Sequence, residues 1–250
     1  MKTGLVILSL FVTGFLIAQT QGEIKYTTKI NLHAQLPDDE NSEMIKGMIP
    51  EFQEMKSVLL FTTAESFYTY DSEDESEETI DEEDGNVMIK IEMDAPEEEI
   101  YTDVANGIVI EQRDLMGKMF LIKDTLRESD WRVSDEQKVF SGLMCQKAEL
   151  IQEEDTIVAW FTPQIPVSTG PAGFGGLPGL IVHVSTNGGN MQITASNIIT
   201  REIDKKEIKA PTKGKEITAE EFGKLEMEKM KQMQEQYGGG EGVNVIMISE

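Results

Sequence analysis

Three methionines at three-residue spacing, Met227, Met230 and Met233, are the side chains of this sequence best placed to do chemistry. On a helix they would share one face, and thioethers gathered in that way bind soft Cu(I). The same spacing is what a helix needs to cover a sheet, and methionine fills irregular cores. Neither His nor Cys accompanies the stripe in sequence. Packing or a partner surface therefore stands beside metal handling as its reading.

Other chemistry is thinly represented. The two histidines, His33 and His183, fall on separate predicted strands, and neither a G-x-S-x-G nor an H-E-x-x-H pattern occurs. His183, between Val182 and Val184, is expected to face away from both, at a surface or sheet edge. With 46 acidic residues, paired carboxylates carry no information. Asp81-Glu82-Glu83-Asp84-Gly85-Asn86 offers oxygens without the register of a calcium loop. The single cysteine, Cys145, cannot close an internal disulfide and reads as a small buried hydrophobe on a strand, with a redox thiol or metal ligand as the alternative. No catalytic residue and no cofactor is predicted.

Gly170 to Val184 reads G-P-A-G-F-G-G-L-P-G-L-I-V-H-V, with five glycines and two prolines ahead of an apolar run. That density specifies a backbone path. A phosphate cradle is disfavoured, because the spacing is not that of a P-loop and no Lys or Arg lies between Pro163 and Thr200. The segment is expected to be a rigid turn that aims Leu177, Leu180 and Ile181. Leu180 and Ile181 are assigned to the core. Phe174 and Leu177, on the loop itself, join Met227, Met230 and Met233 as candidate contact residues.

The elements around these residues follow from periodicity. Glu23 to Gln35 alternates as a strand. Asp38 to Lys56 shows helical spacing of Met44, Ile45, Met48, Phe52 and Met55, interrupted by Pro50. Ser57 to Tyr70 is a strand, followed by an acidic insert (71–86) expected to be a mobile excursion. Further strands are predicted at 87–93, 100–110 with a turn at Asn106-Gly107, 119–124, 131–133, 138–151, 156–162, 179–186 and 191–201. Asn187-Gly188 between the last two is a hairpin signal. Residues 202–217 form a charged linker in which Pro211 breaks any order. Thr218-Ala-Glu-Glu221 is a capping box that opens a helix over 218–237, and a glycine-rich turn and strand-like tail complete the chain at 238–250. The predicted fold is mainly β (α+β): a single curved antiparallel sheet of about ten strands, covered by an early and a late helix.

Against that background three motifs carry a family resemblance. Gly176-Leu177-Pro178-Gly179-Leu180-Ile181 is the hexapeptide that names the GLPGLI family. Ala159-Trp160-Phe161-Thr162-Pro163-Gln164-Ile165-Pro166-Val167 resembles that family's A-W-Y/F-T-x-x-I-P block, and Trp131, Lys138, Cys145, Lys147 and Ala148 its W…K…C-x-K-A pattern. The resemblance covers about residues 23–200. It implies an exported, β-rich protein with no agreed site, so Trp160, Pro163, Pro166, Gly170, Pro171, Gly176, Leu177, Pro178, Gly179, Leu180 and Ile181 enter as structural motif residues. In layout the expected sheet is similar to the half-open barrels of lipoprotein carriers.

The N-terminus supports export. Lys2, an apolar segment from Leu5 to Ala18 and small polar residues read as a signal peptide (1–22), too short to span a bilayer, which takes roughly 20 residues. No cysteine lies near the expected cut, so a lipoprotein is not predicted. The mature chain is expected in the periplasm, at the outer membrane or secreted, and not membrane-spanning. A net charge of −24 argues against nucleic acid and anionic lipid surfaces. These features converge on a noncatalytic envelope binding or accessory protein that presents an apolar concavity or edge to a lipid, peptide or envelope partner. Methionine-based Cu(I) or other metal handling by the last helix is the alternative, and a hydrolase the remaining one.

Overall fold

Alternation along the first described segment produces β1 (Gly22–Asn31), whose Ile24, Tyr26, Thr28 and Ile30 are buried while Lys25 and Lys29 face solvent. The computed structural model describes residues 20–36, 40–71, 96–126, 129–152 and 155–237. The expected signal peptide, most of the acidic insert, the strand at 87–93 and the tail at 238–250 lie outside the described residues. After a 3-10 turn at His33–Gln35 comes α1 (Glu40–Lys46). The expected helix to Lys56 stops there. Pro50 disfavours helical backbone at Ile49, and the next ten residues become β2 (Phe52–Phe61), paired along its whole length with β1 from Asn31↔Phe52 to Gly22↔Phe61. Long-range pairing outweighs the helical spacing of Phe52 and Met55.

The expected strand 57–70 is divided. Thr62 Oγ1 accepts hydrogen bonds from the backbone N–H groups of Ala64 (3.2 Å) and Glu65 (3.0 Å), which turns the chain into β3 (Glu65–Tyr70). Then follow β4 (Glu98–Asp103), β5 (Ile108–Leu115), β6 (Lys118–Thr125), β7 (Arg132–Phe140), β8 (Leu143–Gln152), β9 (Asp155–Thr162), β10 (Leu180–Thr186), β11 (Met191–Thr200) and β12 (Lys215–Thr218). The continuous strand expected over 138–151 is broken at Ser141 and Gly142, with φ of 48° and 80°. Such a pair of left-handed residues makes the tight hairpin between β7 and β8.

The twelve strands among the described residues form one open sheet in the order β12-β6-β5-β4-β3-β2-β1-β11-β10-β9-β8-β7, antiparallel except for β12 beside β6. The sheet is single and mainly antiparallel, as expected. Ile24, Leu59, Tyr68, Ile100, Glu111 and Ile122 lie opposite one another along a row across β1 to β6 and define an inner face. Two pieces of chain cover it: the 163–179 connection between β9 and β10, and α2 (Ala219–Tyr237). The early helix instead helps close a satellite cluster of Ile30, Leu32 and Ile49.

Residues 201–214 run from β11 to β12 across the outer face. This stretch of the expected charged linker is held against the sheet: Ile203, Ile208 and Pro211 are buried, and Arg201 pairs with Glu23 (3.0 Å) and Glu207 (2.7 Å). Apolar residues spaced among the charges pin this strap to the sheet. The capping box is present: Thr218 N–H donates to Glu221 Oε2 (3.1 Å), and Glu221 N–H donates to Thr218 Oγ1 (3.2 Å).

Candidate functional site

The 163–179 connection is an elbow that leaves the sheet after β9, fills its inner face and returns as β10. Ile165, Val167 and Leu177 enter the main core beside Tyr26, Phe61 and Phe161. Backbone ties hold the shape: Leu180 N–H donates to Ile165 O (2.9 Å) and Ile181 N–H to Thr169 O (3.0 Å). Side chains add three more. Thr169 Oγ1 donates to Ser66 Oγ on β3 (2.9 Å), Tyr26 donates its hydroxyl proton to Ile181 O (2.6 Å), and Trp131 Nε1 donates to Gly175 O (2.9 Å). Two glycines are required by close approach. A Cβ on Gly179 would sit 2.3 Å from Thr162 O, and one on Gly170 would sit 2.7 Å from the Ile181 Cβ.

Leu180 and Ile181 are completely buried, as expected. Leu177 departs from its role as a contact candidate: it is 2% exposed, because the elbow turns its side chain inward against the sheet. Phe174 is half-buried and packs on the same core. Gly170, Pro171 and Gly179 are buried, whereas Pro163, Pro166, Gly176 and Pro178 form the solvent side of the elbow. The region therefore offers packing and backbone hydrogen bonds. It presents no array of reactive side chains.

A second cluster lies on the other face of β9 and β10. The tip of the β7–β8 hairpin folds across these strands until Ser141 Oγ donates to Ala195 O on β11 (2.5 Å). The Phe140 ring then stacks on His183 with centroids 4.8 Å apart and planes 17° from parallel, and lies 5.5 Å from Trp160. Lys138 Nζ sits 4.8 Å from the Phe140 centroid. His183 Nδ1 is 2.8 Å from Thr194 Oγ1. Burial, helped by the Lys138 charge, brings the imidazole down to about 4, so it is neutral at physiological pH. The expected exposure of His183 is thereby corrected, since a hairpin from two strands away covers it. Trp160, one of the structural motif residues, is half-buried at the margin of this cluster. Among the described residues the hydrogen-bond and ring partners of His183 are Thr194 and Phe140, neither of them a carboxylate. Burial also pushes the Cys145 thiol up, which suits a packed side chain better than a nucleophile.

Met227 and Met230 do not belong to the buried cluster under the last helix. Phe222 and Leu225 dock α2 on Phe120 and Ile122, and Arg113 reaches Glu98 on β4 (2.6 Å) and Glu226 on the helix (4.0 Å). Met227 is 65% exposed and Met230 half-buried, while the Met233 side chain lies outside the described set. A groove of about 300 Å³ opens between the strap and the outer face, lined by Phe67, Glu99, Gln112, Glu207, Lys209 and Lys213 among others. Its walls are chiefly polar. Among the described residues no cluster of three or more His, Cys, Asp or Glu side chains could hold a metal ion, and no helix is long and apolar enough to cross a membrane.

The feature that sequence reasoning missed is the free edge. β7 is nine residues long, bonded on one side only among the described residues, and exposed at every position from Arg132 to Val139 except the half-buried Ser134. Its pairing with β8 skips between Val133 and Gln137. The opposite edge, β12, has four residues and leads directly into α2.

Residues 118–183 match a family described as "Protein of unknown function (Porph_ging)". The matched segment runs from β6 into β10 and so contains Trp131, β7, Trp160 and the whole elbow. Two solved structures of PNGF-II, in C2 and P21 space groups, are similar with TM-scores of 0.55 and 0.53 at 14% and 15% identity. Each likeness covers 82% of this chain, and 32% and 33% of theirs, so the chain spans about a third of their length. At that identity the likeness is one of fold. No curated protein matches the chain.

Proposed function

We propose that this chain is a noncatalytic accessory or binding protein of the cell envelope, of the GLPGLI type, exported by its N-terminal segment. Its recognition element is the open edge strand β7. The observation that carries this reading is the contrast between an inner face filled by the protein's own elbow and a nine-residue edge that no described residue covers. An extended segment of a partner can add to such an edge by main-chain hydrogen bonds, with side chains setting specificity. Arg132, Asp135, Glu136 and Lys138 on the edge oppose indiscriminate pairing and select for complementary charge. Exposed methionines at Met44, Met48, Met116, Met144 and Met227 add adaptable apolar contacts.

Native mass spectrometry of the protein after gentle extraction from its envelope tests the proposal. A bound protein or peptide that is lost from a folded Val139→Pro variant is the expected result. An unliganded protein with no envelope partner, or a partner indifferent to β7, overturns it.

A further inference from the structure

We infer that β7 takes a second copy of this chain, the two edges pairing antiparallel about a two-fold axis at Gln137. The inference rests on the reading of β7 as a recognition edge and names its occupant. In a symmetric antiparallel pair, directly opposite residues share a face of the sheet, so the axis must pass through a residue. Charge and strand regularity then discriminate among the possible centres. An axis at Ser134 would also oppose unlike charges, Arg132 and Glu136, but it falls inside the irregularity between Val133 and Gln137 and overlaps only five residues of each β7, whereas Gln137 begins the regularly paired stretch. An axis at Asp135 sets Asp135 against itself and Arg132 against Lys138. One at Glu136 sets Glu136 against itself, and one at Lys138 does the same for Lys138. Centred at Gln137, the register places Glu136 opposite the second copy's Lys138 twice and Gln137 opposite Gln137.

Local geometry supports this register. Glu136 already accepts a hydrogen bond from Lys147 on β8 (3.3 Å), so both lysines would flank one carboxylate. Side chains at Glu136 and Gln137 are exposed and available. The strand also sums to zero charge, with Arg132 and Lys138 against Asp135 and Glu136, in a chain whose net charge is −24. It is a place where two strongly acidic molecules can approach without local repulsion. Isologous contacts of this kind close on themselves and do not propagate into fibres.

Sedimentation velocity of the full exported chain, over a wide concentration range, is the test. The expected species is a dimer that weakens at very low salt, where the two net charges repel over a Debye length of about 30 Å. Lys138→Glu turns both attractive pairs repulsive and is expected to weaken association at least about tenfold. Glu136→Lys added to Lys138→Glu exchanges the partners and restores the dimer to near its original strength. Thermal unfolding of each variant confirms that the fold is intact. A folded monomer at every concentration, or a dimer unchanged by Lys138→Glu, overturns the inference. If the protein is monomeric yet β7 substitutions still abolish capture of an envelope partner, self-pairing fails and the edge reading stands. If they alter neither, both fail.

Discussion

β10 and β7 stand three strands apart in one sheet and live in opposite environments. Every residue of β10 except Ser185 is buried, whereas almost the whole of β7 is exposed. The difference does not come from the strands' own backbone, which is extended in both. It comes from what lies over them: the elbow covers the inner side of β10, and the β7–β8 hairpin tip covers its outer side through Phe140 and His183. Nothing among the described residues covers β7. One part of the sheet is thus a core with no room for chemistry, and another is a surface with unspent backbone hydrogen bonds.

The comparison can be broken most directly at Gly179. Substitution by Ala forces a Cβ against the Thr162 carbonyl at 2.3 Å and is expected to destabilise by about 3 kcal/mol or more, read from urea unfolding. A variant as stable as the parent would show that the elbow is pliable. Leu177→Ala should cost about 3 kcal/mol as a core truncation, and a loss below about 1 kcal/mol would remove the elbow from the core. Trp160→Ala, at the half-buried margin, is expected to cost less, about 2 kcal/mol.

His183 sharpens the contrast through pH. The unfolded chain binds this proton near pH 6.5 and the folded one only near 4, so the folded state loses stability as pH falls through that window. His183→Gln keeps a polar contact to Thr194 and removes the titration. The stability gap between parent and variant should therefore shift in favour of the variant as the pH drops. A gap independent of pH would mean that the imidazole is solvated. At the cap of α2, Thr218→Ala is expected to cost about 1 kcal/mol, followed by circular dichroism. Smallest of all, Val139→Ser on the free edge should change monomer stability by under about 0.5 kcal/mol. A cost approaching that of Leu177→Ala would mean that β7 is covered after all.

Much of the scaffold was legible in local pattern. The alternation of β1, the Asn187-Gly188 turn, the capping box at Thr218 and the inward aim of Leu180 and Ile181 all follow from interactions within a few residues. The candidate site was less legible. Leu177 and His183 were expected at the surface, and their burial depends on contacts with β3, β7 and β11, far away in sequence. The edge gave no signal, since Arg132 to Phe140 mixes charges with two valines and resembles a covered or uncovered strand equally well.

Glycine, proline and side-chain alternation set the backbone path because they act through sterics and solvent transfer at each residue, whatever the rest of the chain does. Strand order, by contrast, is a competition among distant partners. It was the pairing of β1 with β11, the parallel docking of β12 and the hairpin folded over His183 that decided which face is sealed. The same competition left β7, alone among the long described strands, at the end of the sheet with a side that no described strand takes.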